Sequence, residues 1–320
     1  MVNAKIMGAN DFLHTIKNEF LSVSADEQGA ELHSVISGGT ELLWQGDPKW
    51  WAGRAPILFP FVGKLKNGSY VHGGKQYTWT QNHGFARRGK FTFMGSSRDT
   101  ITFSFCGNNE TRNVYPFEFE LLVTYKLAGQ SLHCRFKVTN KSDADMYFSI
   151  GGHPAFNCPF FRDETLGETE VGTLGETEVE TFEDYEIIFD NNETAGTHII
   201  TKEGLVSCET APFFDNSNQI SLNHELFHKY QTLVFSNLIS QTVTLRSRKT
   251  GAGVALDFTG FPYFGIWQPP GAPFICLEPW QGIDDSPVST GNLAEKAGIM
   301  RLAPESEHSC GFTLTPQKLF

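Results

Sequence analysis

Apolar and polar residues alternate with a period of two along many short stretches of the chain. In "LHCRFKVTN", from position 132, Leu132, Cys134 and Phe136 fall on one side and His133, Arg135 and Lys137 on the other, which is the spacing of a half-buried antiparallel strand. The same signature, rich in β-branched and aromatic residues with turn signals between, recurs in "FTFMG" at 91, "ITFSF" at 101, "FEFELLVTYKL" at 117, "YEIIF" at 185, "VTLRS" at 243 and "VALDF" at 254. Helical periodicity is scarce: "NHELFHKY" at 223–230 supports one or two turns, with Asn223 as N-cap. Strands without long helices between them do not build a parallel βαβ sheet. The pattern therefore predicts an all-β fold, a large antiparallel β-sandwich with few short helices.

No shift in composition marks a second domain, so residues 1–320 read as a single sandwich domain. One segment interrupts it. "TLGETEVGTLGETEV" at 165–179 repeats TLGETEV at a period of eight; two copies are too few to stack as a solenoid. Residues 161–183 are expected to form an acidic insertion loop, close in sequence to any site at position 153.

Composition narrows the classes. The chain is 40% hydrophobic and 19% charged, with 28 Phe, enough apolar material for a sizeable core. No run approaches the roughly 18 consecutive apolar residues of a membrane span, and the first residues lack a basic-then-apolar leader, so a cytoplasmic location is expected. Six widely spaced cysteines without a CxxC pair suggest free buried thiols rather than a disulfide framework or a zinc knuckle. A net charge of −11 argues against nucleic acid. Within that acidic average, no Asp or Glu occurs between Arg54 and Arg98, while Arg54, Lys64, Lys66, Lys75, Arg87, Arg88, Lys90 and Arg98 all fall there. That run is either an ordinary solvated face or a cationic wall for an anionic or highly hydroxylated ligand.

Two ionisable residues stand at the edges of apolar runs, each followed by proline: His153 in "GGHPAFN" and Glu278 in "FICLEPW". Proline restricts the residue before it to extended conformations, so both side chains are held in place by the local backbone. The run before Glu278 suggests an inner strand whose end delivers the carboxylate to a cleft, where desolvation would raise its pKa toward that of a useful general base. Taken alone, a histidine beside an apolar strand is more often structural. A third segment, "NHGFARRGKF", adds His83 before Gly84 and Arg87 four residues on, and "WAGRAPILFPF" adds Arg54.

These segments, in this order, resemble the aldose 1-epimerase (mutarotase) superfamily, in the bacterial branch related to galactose mutarotase and hexose-6-phosphate epimerases. The carriers are R-x-P-I-L-F-P at Arg54, H-G-F-A-R at His83, G-G-H-P-A-F-N at His153 and E-P-W at Glu278. The resemblance implies a β-sandwich with an open cleft on one sheet, and a small-molecule sugar or sugar phosphate as partner. It implies Glu278 as the base on the anomeric hydroxyl, His153 as the acid on the ring oxygen and His83 as its assistant, with Arg54 binding hydroxyls. No cofactor or metal is implied. Arg87, Gln231, Trp267 and Trp280 are further candidates for substrate contact. The family often carries an acidic residue just before a strand resembling "TLVFSNL"; here Gln231 occupies the nearest position, which puts the sugar in doubt and tilts the expectation toward a phosphorylated or unusual hexose.

Acid–base logic agrees. Anomer exchange needs one proton taken from the C1 hydroxyl and one given to the ring oxygen, and a positioned acid and base each contribute about 10²–10⁴-fold. Three rivals compete: a metal site built from His83, His153 and Glu278; a glycoside hydrolase pairing Glu278 with Asp284 or Asp285; and a sugar-binding or regulatory protein without useful turnover. The chain is expected to be a monomer or homodimer.

Overall fold

The computed structural model describes residues 13–162 and 180–319. Phe161 and Arg162 continue the strand Ala155–Arg162, and the tandem repeat of the predicted insertion lies outside the described residues.

Two large antiparallel sheets make up most of the structure. In the nine-stranded sheet the order is Ser217–Ser221, Tyr185–Glu193, Thr242–Ser247, Gly253–Asp257, Glu307–Gln317, Ser131–Asn140, Phe119–Ala128, Thr100–Cys106 and Thr92–Ser96. Every strand picked out above by alternation sits in this sheet, although Leu21–Asp26 of the other sheet alternates too. Along Phe119–Ala128 buried and exposed positions alternate as the pattern demands, because one face meets the core and the other meets water.

The ten-stranded sheet is built differently at its centre. Phe274–Gln281 pairs along one edge with Tyr263–Trp267, and Thr232–Ser236 extends the sheet beyond that. Along its other edge it pairs end to end with two short strands, Ile150–Gly152 and Ala155–Arg162. The first seven residues of Phe274–Gln281 are all buried. Ile275 and Leu277 enter the main core between the sheets, together with Val23 and Val35 of the same sheet and Phe103, Leu121, Val123 and Phe136 of the other. Their neighbours point the opposite way: Phe274 and Cys276 pack with Trp44, Trp50, Trp51 and Trp267, and Trp280 packs with Leu58, Val62, Val206 and Val234. A hairpin of Gly196–Ile200 and Val206–Pro212 covers this outer face, its Thr197 hydroxyl accepting the Val234 N–H at 3.0 Å.

Two short α-helices are present among the described residues, Asn109–Val114 and His224–Tyr230, the second capped by Asn223, whose side chain accepts the Leu226 N–H. No helix there is long and apolar enough to cross a membrane.

Just beyond the central strand, Asp285 fixes the outer face to the segment at 64–66. Its carboxylate accepts the Lys66 N–H at 2.8 Å and pairs with the buried ammonium of Lys296 at 3.0 Å. Removing one partner of such a pair strands the other charge in a poorly solvated site. Asp285→Ala is therefore expected to lower the unfolding free energy by about 3–5 kcal/mol, read as a shifted midpoint in chemical denaturation.

Candidate active site

Strand register brings His153 and Glu278 together. Gly151 pairs with Trp280, and Ala155 pairs with Cys276; the offset is unchanged across the gap, so His153 stands directly opposite Glu278. Pro154 and Pro279 each lack an N–H, which opens the ladder between those two pairs while Leu277 N still donates to the Pro154 carbonyl at 3.1 Å. On the far side the His153 N–H donates to the Pro56 carbonyl at 3.1 Å. Directly opposed residues have Cβ atoms about 4.5–5.5 Å apart, and here His153 Nε2 lies 3.3 Å from Glu278 Oε2. Glu278 is in the body of its strand rather than at the end expected from sequence, since the backbone pairs on through Trp280 and Gln281.

The pair opens into a cavity of about 370 Å³ whose wall includes Trp51, His83, Arg87, Gln231, Trp267 and Asp284, a size ordinary for small-molecule sites. Trp51 stacks on the His153 ring at 4.9 Å and Trp267 meets it edge-on at 5.6 Å. Trp280, also in the wall, has its indole seated where residue 265 would carry a Cβ; Gly265 leaves the room, since a Cβ there would come within 2.5 Å of the ring.

His83 enters from a turn. Its φ is +64° and Gly84 follows at +65°; a Cβ on Gly84 would collide with the Phe59 carbonyl, so only glycine fits that position. The His83 N–H donates to the Gly63 carbonyl at 2.9 Å, and Gly63 N–H donates to His83 Nδ1 at 3.1 Å. Because Nδ1 accepts, the neutral ring carries its proton on Nε2. His83 and His153 meet edge to face, centroids 5.5 Å apart.

Burial dominates the electrostatics. It pushes the Glu278 carboxyl well above the ordinary carboxylate range; Asp284 adds to the rise, while the Trp280 indole and the Arg87 guanidinium oppose it. It drives His153 well below the usual imidazole range, helped by His83 and Arg87, and takes His83 down to about 3. Arg87, itself half-buried, is the lining guanidinium and feels Glu31 from behind and Glu278 in front. His153 Nδ1, Glu278 Oε2 and Trp280 Nε1 are buried without a hydrogen-bond partner. Native interiors rarely leave such groups unmatched, and the Glu278 oxygen has only the 3.3 Å contact with His153 Nε2.

A model of the aldose 1-epimerase family matches residues 13–290. The chain belongs to that family. It is 34% identical over 310 residues to the plasmid and chromosomal LacX proteins of Lactococcus lactis subsp. lactis, covering 94% of this chain and 98% of each relative. Among solved structures it is similar to a galactose mutarotase related enzyme from Lactobacillus acidophilus, with TM-score 0.83 and 35% identity over 96% of this chain and 98% of that one. A galactose mutarotase-like protein from Lactobacillus casei matches with TM-score 0.83 and 29% identity over 95% and 100% of the two chains.

Within this family member, the cavity gathers Glu278, His153, His83, Arg87, Gln231, Trp267 and Trp280. Arg54 is not in the wall. Its N–H and that of Ala55 are held by Glu31 Oε1 at 2.6 and 2.8 Å, and its guanidinium packs beside Gly46. Of the two readings of the basic run, the cationic wall is not built: Lys64 Nζ donates to the Glu203 carbonyl, Lys66 Nζ to the Ser289 carbonyl, Lys75 lies over Tyr77, and Arg87 alone of that run lines the cavity. Among the described residues, the three-residue group able to converge on a cation is His153, Cys276 and Glu278, with donor atoms within 4.8 Å of one another; His83 is not part of it. Burial raises both the Cys276 thiol and the Glu278 carboxyl, so two of the three donors favour protonated forms that do not ligate, while the neutral imidazole of His153 is the ligating form. Asn82 is a wall residue that sequence patterning did not single out, and Asp284 stood there only as half of a rival hydrolase pair.

Nitrogen NMR of labelled protein should find His83 neutral, with the proton on Nε2, from neutral pH down to the neighbourhood of its value of about 3. Titration near the ordinary imidazole value would contradict the buried geometry.

Proposed function

We propose that the protein is an aldose 1-epimerase that interconverts the anomers of a free hexose by acid–base ring opening. The observation that carries this reading is the buried contact of His153 Nε2 with Glu278 Oε2 at 3.3 Å in the floor of the cavity. Glu278 takes the proton of the C1 hydroxyl as His153 gives one to the ring oxygen, the bond from C1 to that oxygen breaks, and C1 of the open aldehyde rotates. Closure on the other face reverses both transfers. His83 donates from Nε2 to the ring oxygen, Arg87 and Gln231 hold hydroxyls, and Trp51, Trp267 and Trp280 present apolar surface to the C–H face of the sugar.

The proton count favours this chemistry. Burial stabilises carboxyl plus neutral imidazole, and that state holds the same single proton as carboxylate plus imidazolium. A sugar hydrogen-bonded to both groups moves the pair between the two forms without exchange with solvent. The active state is the one-proton state, so the rate falls when the pair gains a second proton at low pH and when it loses its last at high pH. Those limits belong to the pair rather than to either residue.

Charge supports a free sugar. With Glu278 held as the neutral carboxyl, the formal charges left in the wall are Arg87 and Asp284, so a dianionic phosphate would find one guanidinium set against a carboxylate. A hydrolase reading draws on the same two acids, since Glu278 and Asp284 share the cavity whereas Asp285 is taken by Lys296; release of reducing sugar from disaccharides would favour it. A binding protein without turnover would bind hexose and leave anomer exchange at its spontaneous rate.

Polarimetry and exchange NMR across free hexoses and their 6-phosphates test the proposal, with acceleration expected for a free hexose. Glu278→Gln should lower kcat about 10²–10⁴-fold with sugar binding kept. In His153→Gln the residual rate should rise with pH through the raised Glu278 value, above the ordinary 4.5, without the fall at high pH. A wild-type rate equal to the uncatalysed one would overturn the assignment.

A further inference from the structure

The central strand is followed by "GIDDSP", in which the two aspartates part company. Asp285 is buried and neutralised by Lys296 at 3.0 Å. Asp284 has no such cation; its carboxylate enters the cavity wall. It does so through the space left by Gly63, where a Cβ would overlap the carboxylate. Its Oδ1 accepts the Lys64 N–H at 2.7 Å, and none of the hydrogen bonds described for the protein uses its Oδ2. Burial and the neighbouring Asp285 raise its pKa, while the Lys64 N–H and Lys296 hold it down.

Asp284 and His83 are thereby organised by successive peptide groups: Gly63 N–H holds His83 Nδ1, and Lys64 N–H holds Asp284 Oδ1. Under the mutarotase reading, on which this inference rests, His83 addresses the ring oxygen. Glu278 addresses C1, one of the two carbons bonded to that oxygen. The other is C5, which carries the exocyclic carbon and its hydroxyl.

We propose that Asp284 is a specificity-determining residue whose carboxylate accepts a hydrogen bond from the C6 hydroxyl of a hexopyranose and so selects free hexoses over their 6-phosphates. A carboxylate is a strong acceptor for a hydroxyl and repels a phosphate at the same place. It also supplies the cavity with a second carboxylate from a different element, where Gln231 offers an amide.

The test is a cycle between the side chain and the hydroxyl. Binding and kcat/KM are measured for a hexose, its 6-deoxy and 2-deoxy forms and its 6-phosphate, in the wild type and in Asp284→Asn. The wild type should lose about 10- to 100-fold on removal of the C6 hydroxyl, as expected for a hydrogen bond to a charged group. The variant should lose a similar factor against the parent hexose, show little further loss with the 6-deoxy sugar, keep the full 2-deoxy penalty and gain on the 6-phosphate relative to the hexose. A uniform loss across all four sugars, or a 6-deoxy penalty that persists in the variant, overturns the proposal and leaves Asp284 as a support for the Lys64 amide. Should D284N fail to fold, Asp284→Ser is put through the same cycle. Calorimetric binding to E278Q and to E278Q/D284N reads the coupling without turnover, so a failure of the mutarotase reading is distinguishable from a failure of this one.

Discussion

A single cross-strand relation, His153 opposite Glu278 in an unbroken register, is what the site depends on. A one-residue slip of Ile150–Gly152 or Ala155–Arg162 against Phe274–Gln281 would send one of the two side chains to the other face of the sheet, into the main core with Ile275 and Leu277. Both short strands flank His153 and share one partner, so the register is set twice, before and after the residue. The prolines that follow His153 and Glu278 cost the ladder its donors at the one place where the ladder must open, and the backbone there is held instead by Pro56 and by the Leu277 N–H. Both side chains sit on sheet rather than on loops, and sites built on strands are held more precisely than sites on loops.

The rest of the wall is assembled around absent side chains. Gly63 admits the Asp284 carboxylate, Gly84 brings the His83 turn against Phe59, and Gly265 gives the Trp280 ring its seat. In each case a methyl group would meet a wall residue or a backbone carbonyl, so all three glycines are required by contact, and Gly63 and Gly84 by their positive φ as well. The neighbouring Asp285–Lys296 pair carries the structural duty at that end of the strand, which leaves Asp284 free of an ion pair and available to the cavity.

How much of this could be read in the chain depended on which face of a strand meets water. The nine-stranded sheet, wet on one side, writes its register into alternation; "LHCRFKVTN" and "FEFELLVTYKL" become the long paired strands Ser131–Asn140 and Phe119–Ala128. Phe274–Gln281 is covered on both faces and reads as a plain apolar run, so its length and the mid-strand place of Glu278 were not legible. His153, His83 and Glu278 could be picked out because proline and glycine beside an ionisable residue are local signals. Asn82 carries no local signal, and Asp284 could be named only as one of two adjacent acids, because what separates it from Asp285 is contact with segments far away in sequence. Arg54 failed for the same reason in reverse, since the motif holds while Glu31 and Gly46, not the cavity, receive it.

Anomers of one sugar differ little in energy, so a catalyst for their exchange must run equally well in both directions, and its acid and base must exchange roles at closure. In water the two groups are unequal, an imidazole near 6.5 and a carboxyl near 4.5. Burial moves them toward each other, His153 down and Glu278 up, because desolvation penalises a cation and an anion alike. Which group holds the proton at the 3.3 Å contact is therefore set by desolvation as well as by the two ordinary values. Under the proposed mechanism the tryptophans packed on His153 act on the acid–base pair without carrying a proton: thin that apolar cover, and desolvation no longer holds Glu278 up and His153 down.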